Sequence, residues 1–442
     1  MKIQKYFIVT MGIMVMATAG YCQSQSQNIS ADGLNTQLNK IAERYVKLVL
    51  AVGRHDSNYV DAYYGPPEWQ TEARQQQKTL PAIKEDAGAL AVELKSLRDT
   101  SVEEILQLRH QYLTKQLSAL IARVDVLEGK KLTFDEEAKA YYDVTPQKFS
   151  DEHFLHLIAE LDSLVPGTGP LPERIDKFRR QFLIPSDKLD TVFRLTIAEC
   201  RARTKQHITL PENENFKLEY VRHKPWGGYN WYQGNSQSLI QINMDSPAFL
   251  ERAIDLAAHE GYPGHHVYNC LLESEFSRKR GWVEFTAYAL FSPQSLIAEG
   301  TANFGIEVAF PGDQRMEFER DVLCPLAELD RTQAALRLKI QKLLAKLSYA
   351  NNEAARRYLN GELTHEQTAQ WLLRYGAMTP QRAQRELDFI DHYRSYVINY
   401  NLGEDLVRQY IERRGGTANN PEKRWEEFKK LISSPRLPSG LQ

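Results

Sequence analysis

The chain of 442 residues is 42% hydrophobic and 25% charged, as is ordinary for a soluble globular protein. It contains 55 Lys and Arg against 57 Asp and Glu, which argues against a nucleic-acid partner, since nucleic-acid binders carry a basic excess. Beyond the N-terminus no run is long and apolar enough to be an integral membrane span.

The N-terminal segment has the features of a secretory signal peptide. Two lysines precede the apolar run Phe7–Ala17, and small residues follow it. We expect cleavage after Ala19 or after Cys22, and the cysteine leaves a lipoprotein open as an alternative. The sequence therefore predicts a signal peptide over 1–22, a polar linker over 23–33, and export to the periplasm or the extracellular space.

The remaining residues, 34–442, have a predominantly helical pattern. Apolar residues recur every three or four positions over 34–55, 82–97, 101–128, 151–163, 185–206, 317–360, 365–375 and 379–413. The segment Ala62–Trp69 is predicted to be a loop, because its Gly-Pro-Pro run stops a helix. The segments Phe216–Val221 and Ser238–Asn243 are strand-like and flank a Gly- and Trp-rich stretch, which predicts a hairpin or small sheet. Without an interior linker, we predict a single α-rich catalytic domain.

The next helix carries the first chemical signal. Residues Ala253–Tyr262 are helix-compatible, and they follow a start signal in which Asp245 or Ser246 can cap the helix before a proline. The helix contains His259 and Glu260. A His-Glu pair on a helix is typical of zinc hydrolases, in which the histidine binds the metal and the glutamate serves as general base.

The spacing around this pair differs from the familiar H-E-x-x-H motif. The position four residues after His259 is Pro263, which cannot bind a metal. Pro263 also removes one helical hydrogen bond, and Gly264 permits unusual backbone angles. A two-residue bulge here could bring His265 to the place of the second histidine. We predict His265 as the second ligand, with His266 as the alternate ligand or as a group that orients the site.

A third ligand is predicted in the helix-like segment Ser295–Val308. Glu299 lies there among apolar residues, and a buried carboxylate must pair with a cation. Pairing with Arg or Lys is the ordinary alternative. Together with His259 and His265, however, Glu299 completes a three-residue Zn²⁺ site that leaves one position for water.

These motifs resemble those of a bacterial family, the domain of unknown function 885 (DUF885) family, whose members carry stretches like HEGYPGHH and AEGTANFGIE. Shorter similar patches are Asp61–Pro66 and Tyr393–Gly403. The family is similar to zinc metallopeptidases such as carboxypeptidase Taq. The resemblance implies a mostly helical metallopeptidase-like fold with a central cleft, a zinc ion and peptidase-like hydrolysis. This chain has Thr301 and Phe304 where family members commonly have Trp and Tyr.

The stretch Tyr393–Gly403 could also contribute to catalysis. A zinc peptidase needs a donor for the oxyanion, and Tyr396 or Arg394 can supply it. Arg394 could instead bind a substrate carboxylate. The ordinary alternative is an aromatic helix face in which Arg394 forms a structural salt bridge. The strand Ser238–Asn243 could pair at its edge with an extended peptide.

The sequence thus predicts an exported zinc hydrolase with Glu260 as general base. A carboxypeptidase-like peptidase acting on a peptide or small amide is the preferred interpretation. A non-peptidase zinc hydrolase acting on an ester or small amide, and a catalytically silent helical binding protein, are the alternatives.

Overall fold

The computed structural model describes residues 30–97, 103–224, 226–245 and 247–442. The predicted signal peptide, most of the predicted linker and the proposed cap Ser246 lie outside these ranges. Across the described ranges, no helix combines the length and the apolar character that crossing a membrane requires.

The described chain is mostly α-helical, as predicted, with two small sheets. The helices are α1 (Ala31–Val52), α2 (Pro67–Gln76), α3 (Leu80–Ser96), α4 (Glu104–Leu127), α5 (Phe134–Tyr142), α6 (Asp151–Leu164), α7 (Leu171–Arg180), α8 (Leu189–His207), α9 (Leu250–Leu256), α10 (His265–Leu272), α11 (Pro293–Ala309), α12 (Gln314–Phe318), α13 (Cys324–Leu326), α14 (Ala334–Leu347), α15 (Tyr349–Leu359), α16 (His365–Tyr375), α17 (Pro380–Tyr393), α18 (Ile398–Arg413) and α19 (Pro421–Ile432). The strands are β1 (Val60–Tyr63), β2 (Asn215–Val221), β3 (Gly228–Gly234), β4 (Gln237–Asn243) and β5 (Ala287–Ala289).

A three-stranded sheet in the order β2-β4-β3 confirms the predicted small sheet. The hairpin interpretation is wrong for the two predicted strands, because β2 and β4 run parallel, whereas β3 and β4 form the antiparallel pair. Asn235 and Ser236 connect β3 to β4 with φ values of 55° and 58°, as expected for the two-residue turn that favours hairpins. The proposed peptide-binding strand is β4, which lies in the centre of the sheet, so both of its edges are already paired.

The second sheet corrects the loop predicted over Ala62–Trp69. Strand β1 pairs antiparallel with β5, which precedes α11 directly, and α2 begins at Pro67. All four residues of β1 are half-buried, so the strand has no alternation of buried and exposed positions. The sequence therefore lacks the alternating apolar pattern by which a strand is predicted. The pairing brings Asp61 and its neighbours to the start of α11.

Two long predicted helices are interrupted. The pattern over 379–413 breaks at Arg394, where φ is +55° and a 3₁₀ turn separates α17 from α18. The pattern over 317–360 is divided among α12 to α15, with a π-helical turn at Glu319–Leu323 and a left-handed residue, Glu328, with φ of 56°. Apolar periodicity continues across both breaks, which is why the sequence predicts continuous helices.

Helices α11 and α18 pack at unusually short range. A Cβ atom placed on Gly300 would lie 2.4 Å from the backbone carbonyl carbon and oxygen of Gly403, so only glycine fits at this crossing. Most of α11 is buried, including Glu299. The close approach places Glu299 and Asn303 of α11 beside the aromatic residues at the start of α18.

Candidate metal centre

The His-Glu segment is a short α-helix that widens into a π-helical turn. Helix α9 ends at Leu256, and the π-helical turn covers Ala257–Gly261. The predicted cap at Asp245 is wrong: α9 begins later, after Phe249, without a side-chain cap. Asp245 instead accepts a hydrogen bond from the backbone N–H of His223.

After the π-helical turn, the backbone at Gly264 packs directly against the backbone of Ala258 and His259. The N–H of Gly264 donates to the carbonyl of Ala258 at 2.9 Å. A Cβ on Gly264 would lie 1.9 Å from the carbonyl oxygen of His259, so a side chain cannot be accommodated there. Helix α10 begins immediately afterwards at His265. The wide turn and the glycine contact together let two histidines six positions apart point to the same place.

The structure brings His259, His265 and Glu299 together. The Nε2 atoms of the two histidines are 3.1 Å apart, and Glu299 Oε2 lies 3.3 Å from the first and 3.7 Å from the second. Ligand atoms bound tetrahedrally at zinc–ligand distances of about 2.0–2.1 Å are separated by roughly 3.3 Å. The three atoms therefore have the spacing that one zinc ion requires.

The donor atoms also have the unsatisfied character of metal ligands. Glu299 Oε2 is buried and has no hydrogen-bond partner in the described part of the chain. The two imidazoles of His259 and His265 direct Nε2 atoms at each other. A cation between these three groups would satisfy all of them, and two imidazoles with one carboxylate form a set that suits Zn²⁺.

Neighbouring residues orient two of these candidate ligands. His259 Nδ1 lies 2.8 Å from Asn303 Oδ1, and the Asn303 amide nitrogen donates to the carbonyl of Tyr400 at 2.9 Å. Because that donation leaves Oδ1 to accept from Nδ1–H, the Nε2 lone pair of His259 is free for a metal. The hydroxyl of Tyr396 donates to Glu299 Oε1 at 2.8 Å.

Sequence reasoning did not identify Asn303. Its position four residues after Glu299 in one helix is the available signal, because side chains at this spacing share a face.

The other predicted residues are placed differently. Tyr396 contacts the candidate ligand Glu299 through its hydroxyl. Arg394 donates from Nε to Glu137 at 2.7 Å, and the backbone N–H of Ser395 also donates to this buried carboxylate. Arg394 thus takes part in the structural ion pair that was its ordinary alternative.

His266, the alternate ligand, lies apart from the group formed by His259, His265 and Glu299. Its Nδ1 lies 2.8 Å from Ser238 Oγ and its Nε2 lies 3.2 Å from Glu214 Oε2, so both ring nitrogens have partners inside the protein. Burial lowers the pKa of His266, which favours the neutral ring despite the nearby carboxylate. Its contacts join α10 to the sheet.

Glu260 lies next to the histidines and beneath the edge strand β3. Its backbone carbonyl accepts a hydrogen bond of 2.6 Å from the Asn230 side chain. A Cβ on Gly228 would lie 3.0 Å from Glu260 Oε1, so this glycine leaves room for the carboxylate. Burial alone would lower the pKa of His259, but the neighbouring carboxylates of Glu299 and Glu260 raise it to about 9, because both place negative charge beside the ring. The site therefore attracts cations.

A further acidic residue near the site was not predicted as functional. Asp61 of β1 accepts a hydrogen bond from the hydroxyl of Tyr229 in β3. Burial raises the pKa of Asp61 to about 6, against the opposing effects of Tyr229 and the charge of His265. Asp61 is thus close enough to His265 and Glu299 for their charges to act on its carboxyl group.

No protein-family model and no curated protein matches the sequence. Among solved structures, the chain is similar to a candidate lipoprotein from Colwellia psychrerythraea, with 15% identity and a TM-score of 0.48 over 84% of this chain and 70% of the other. A protein called CHT shares 11% identity with a TM-score of 0.45, over 93% of each chain. An M32 carboxypeptidase from Deinococcus radiodurans R1 shares 12% identity with a TM-score of 0.37, also over 93% of each chain. Similarities at these levels do not indicate the chemistry of this chain.

Proposed function

We propose that this protein is an exported zinc-dependent hydrolase that cleaves peptide or small amide bonds. The observation that carries the proposal is the convergence of His259 Nε2, His265 Nε2 and Glu299 Oε2 at separations of 3.1–3.7 Å. In the described part of the chain, Glu299 Oε2 has no hydrogen-bond partner. A buried glutamate, Glu260, adjoins the first ligand. The resemblance of the HEGYPGHH and AEGTANFGIE stretches to the DUF885 family supports the same interpretation.

The residues around the ligands have distinct tasks in this proposal. When bound, zinc would acidify a water molecule and polarise the scissile carbonyl. The carboxylate of Glu260 accepts the proton of the attacking water and delivers it to the departing nitrogen. Asn303 holds the ring of His259 with Nε2 towards the site, and Tyr396 holds the carboxylate of Glu299.

The first test is metal content. Protein purified without chelators should contain about one zinc per chain, as expected for one set of three ligands. His265→Ala should lose this zinc, whereas His266→Ala, its matched control in the neighbouring position, should retain it in whatever fraction folds. Wild-type protein without stoichiometric transition metal, or zinc lost only from His266→Ala, would contradict the proposed ligand set.

The second test separates ligand binding from catalysis. Glu260→Gln should retain zinc and reduce kcat by about 10²- to 10⁴-fold, the usual contribution of a general base. A panel of peptides, small amides and esters assigns the reaction. Hydrolysis of esters alone would favour the non-peptidase alternative, and a wild-type rate in Glu260→Gln would exclude Glu260 as the base.

A further inference from the structure

Asp61 is the extra residue of a β-bulge in β1. The residues on either side of it pair with two consecutive residues of β5, so Asp61 itself has no partner in that strand. A bulge re-aims the side chain of its extra residue, and bulges are frequent next to active sites. Asp61 Oδ1 accepts a hydrogen bond from the hydroxyl of Tyr229, which belongs to the edge strand β3. The carboxylate is therefore directed from β1 towards β3.

Both segments that hold this carboxylate border the candidate metal centre. The strand that pairs with β1 is β5, and it is followed along the chain by α11, which carries Glu299. Strand β3 begins at Gly228, where an added Cβ would lie 3.0 Å from Glu260 Oε1. Asp61 is thus held beside one proposed ligand and beside the proposed base.

Asp61 has no counter-ion among the basic side chains. Within the described ranges it forms no ion pair with a lysine or an arginine, and the donor that reaches it is the neutral hydroxyl of Tyr229. The more deeply buried Asp56, by contrast, pairs with Arg123 at 2.6 Å. Asp61 is half-buried, so a ligand can still reach it from solvent.

The proposed zinc ion would not neutralise this carboxylate. The strongest charged neighbours of Asp61 are His265, Glu299 and Glu260. A histidine that binds a metal is neutral, and the two glutamates match the double positive charge of zinc. The negative charge of Asp61 is then left over in a partly desolvated place, where it favours a cation.

Aromatic rings surround the carboxylate. Tyr229, Tyr288 of β5 and Tyr393 at the end of α17 are half-buried. Burial first and the charge of Asp61 second raise the pKa of each of these three tyrosines, so all of them lie near its carboxylate. The faces of aromatic rings attract ammonium groups. A carboxylate among tyrosines therefore suits an organic cation.

We propose that Asp61 and the tyrosines around it bind a primary ammonium group of the substrate, close to the scissile bond. The ammonium group donates a charge-assisted hydrogen bond to the carboxylate, while Tyr229 holds the carboxylate from β3. The preferred substrates are then peptides or small amides with a free α-amino group or a lysine-like side chain beside the bond that is cleaved. This inference rests on the proposed hydrolase function and adds to it a requirement for a cation.

Asp61→Asn tests the charge, because its amide oxygen can still accept from Tyr229. For the zinc-loaded wild type, kcat/KM for a peptide with a free N-terminus should exceed that for its N-acetyl form about 10- to 100-fold, as one charged hydrogen-bonded pair provides. Asp61→Asn should remove this preference by slowing the charged peptide alone, and Asp61→Glu should retain part of it. Asp405→Asn is the matched control and should behave as wild type, because Asp405 is also half-buried and accepts from a tyrosine hydroxyl, that of Tyr349 at 2.6 Å.

A second pair of substrates identifies the source of the ammonium group. N-acetyl peptides with lysine or norleucine beside the scissile bond differ in the charge of that side chain. A preference for the free N-terminus assigns the α-amino group, a preference for lysine assigns the side chain, and either preference should disappear in Asp61→Asn. Neither preference in the wild type, a preference that persists in Asp61→Asn, or equal slowing of charged and uncharged substrates in that variant would overturn the cation site.

A binding measurement distinguishes this inference from the hydrolase function. Hexylamine and hexanol have the same carbon chain and no scissile bond, and the amine alone is charged at neutral pH. Calorimetry on the wild type should show hexylamine binding about 10-fold or more tightly than hexanol, and Asp61→Asn should abolish the difference. Asp61-dependent binding without hydrolysis of any peptide, amide or ester would overturn the hydrolase and keep the cation site. Hydrolysis of charged and uncharged substrates at equal rates would overturn the cation site and keep the hydrolase, and this wild-type result stands even if Asp61→Asn folds poorly.

Discussion

Tyr396→Phe tests how Glu299, the third proposed ligand, is held. The variant removes one oxygen, whose hydrogen bond to Glu299 Oε1 is 2.8 Å long. Within the described residues this hydroxyl is the partner of Oε1, while Oε2 faces the two histidines. Removing the hydroxyl therefore leaves a buried carboxylate oxygen without a donor, and Glu299 becomes free to rotate away from the metal position.

The expected effect is on zinc affinity. A hydrogen bond to a buried charged group contributes about 1.5–3 kcal/mol, which corresponds to roughly 10- to 150-fold in a dissociation constant. Loss of a residue that orients a ligand typically weakens metal binding about 10- to 100-fold, in the same range. We therefore expect the zinc Kd of Tyr396→Phe to rise about 10- to 100-fold, with the fold intact because the ring remains.

Competition with a chromogenic chelator measures this change. Tyr142→Phe is the matched control, because Tyr142 packs edge-on against Tyr396 and its buried hydroxyl has no partner in the described chain. The control should bind zinc as the wild type does. If Tyr396→Phe binds zinc within twofold of wild type but has a lower kcat, the hydroxyl acts on the oxyanion, and its role in holding Glu299 is refuted.

Three further outcomes can be checked by unfolding measurements. Burial alone would raise the pKa of Glu214, but its bonds from His266, Tyr262 and Arg201 lower it to about 2. The ionised carboxylate of Glu214 thus contributes about 3 kcal/mol to the free energy of unfolding above about pH 4.5, and this contribution is lost as the pH falls through 2. Urea unfolding measured at a series of acid pH values should therefore show a free energy of unfolding that depends less on pH in Glu214→Gln than in wild type. The same pH dependence in both proteins would contradict this prediction. Gly300→Ala should lower the free energy of unfolding by about 1–3 kcal/mol, because the new methyl group would overpack the helix crossing. Gly88→Ala, which has open space around its Cβ, should not lower it. Free zinc at about 1,000 times its Kd should stabilise wild type by about 4 kcal/mol, and a chelator should reverse this gain. An equal response in Glu299→Gln would show that zinc acts elsewhere.

The local parts of the candidate site could be predicted from the sequence. The residue types that bind zinc, the helix carrying His259 and Glu260, and the break before His265 are all visible within eight residues. Glu299 stands out because it is charged in an apolar helix. In each case the residue types and their spacing within one short segment indicate the chemistry, so the prediction needs no knowledge of the tertiary structure.

The remaining parts depend on contacts between distant segments. The Glu137 partner of Arg394 lies 257 positions away, and Tyr229 reaches Asp61 across 168 positions. Nothing in the spacing of these residues shows that they meet. The parallel pairing of β2 with β4 was hidden for the same reason, since a sequence pattern identifies strands but not their order. Helices α2, α5, α7 and α19 were also missed; length does not explain this for α19, which has 12 residues against 11 in the predicted α16.

The crossing of α11 and α18 connects the fold to the chemistry. The same close approach at Gly300 and Gly403 brings the Tyr396 hydroxyl to Glu299 and the Tyr400 carbonyl to Asn303. One packing contact therefore sets the orientation of Glu299, the proposed carboxylate ligand, directly and that of His259 through Asn303. Because packed helices cannot separate without losing buried contacts, both ligands are held by the stability of the core rather than by local hydrogen bonds alone. A methyl group at this crossing would thus disturb two ligands at once, although it touches neither.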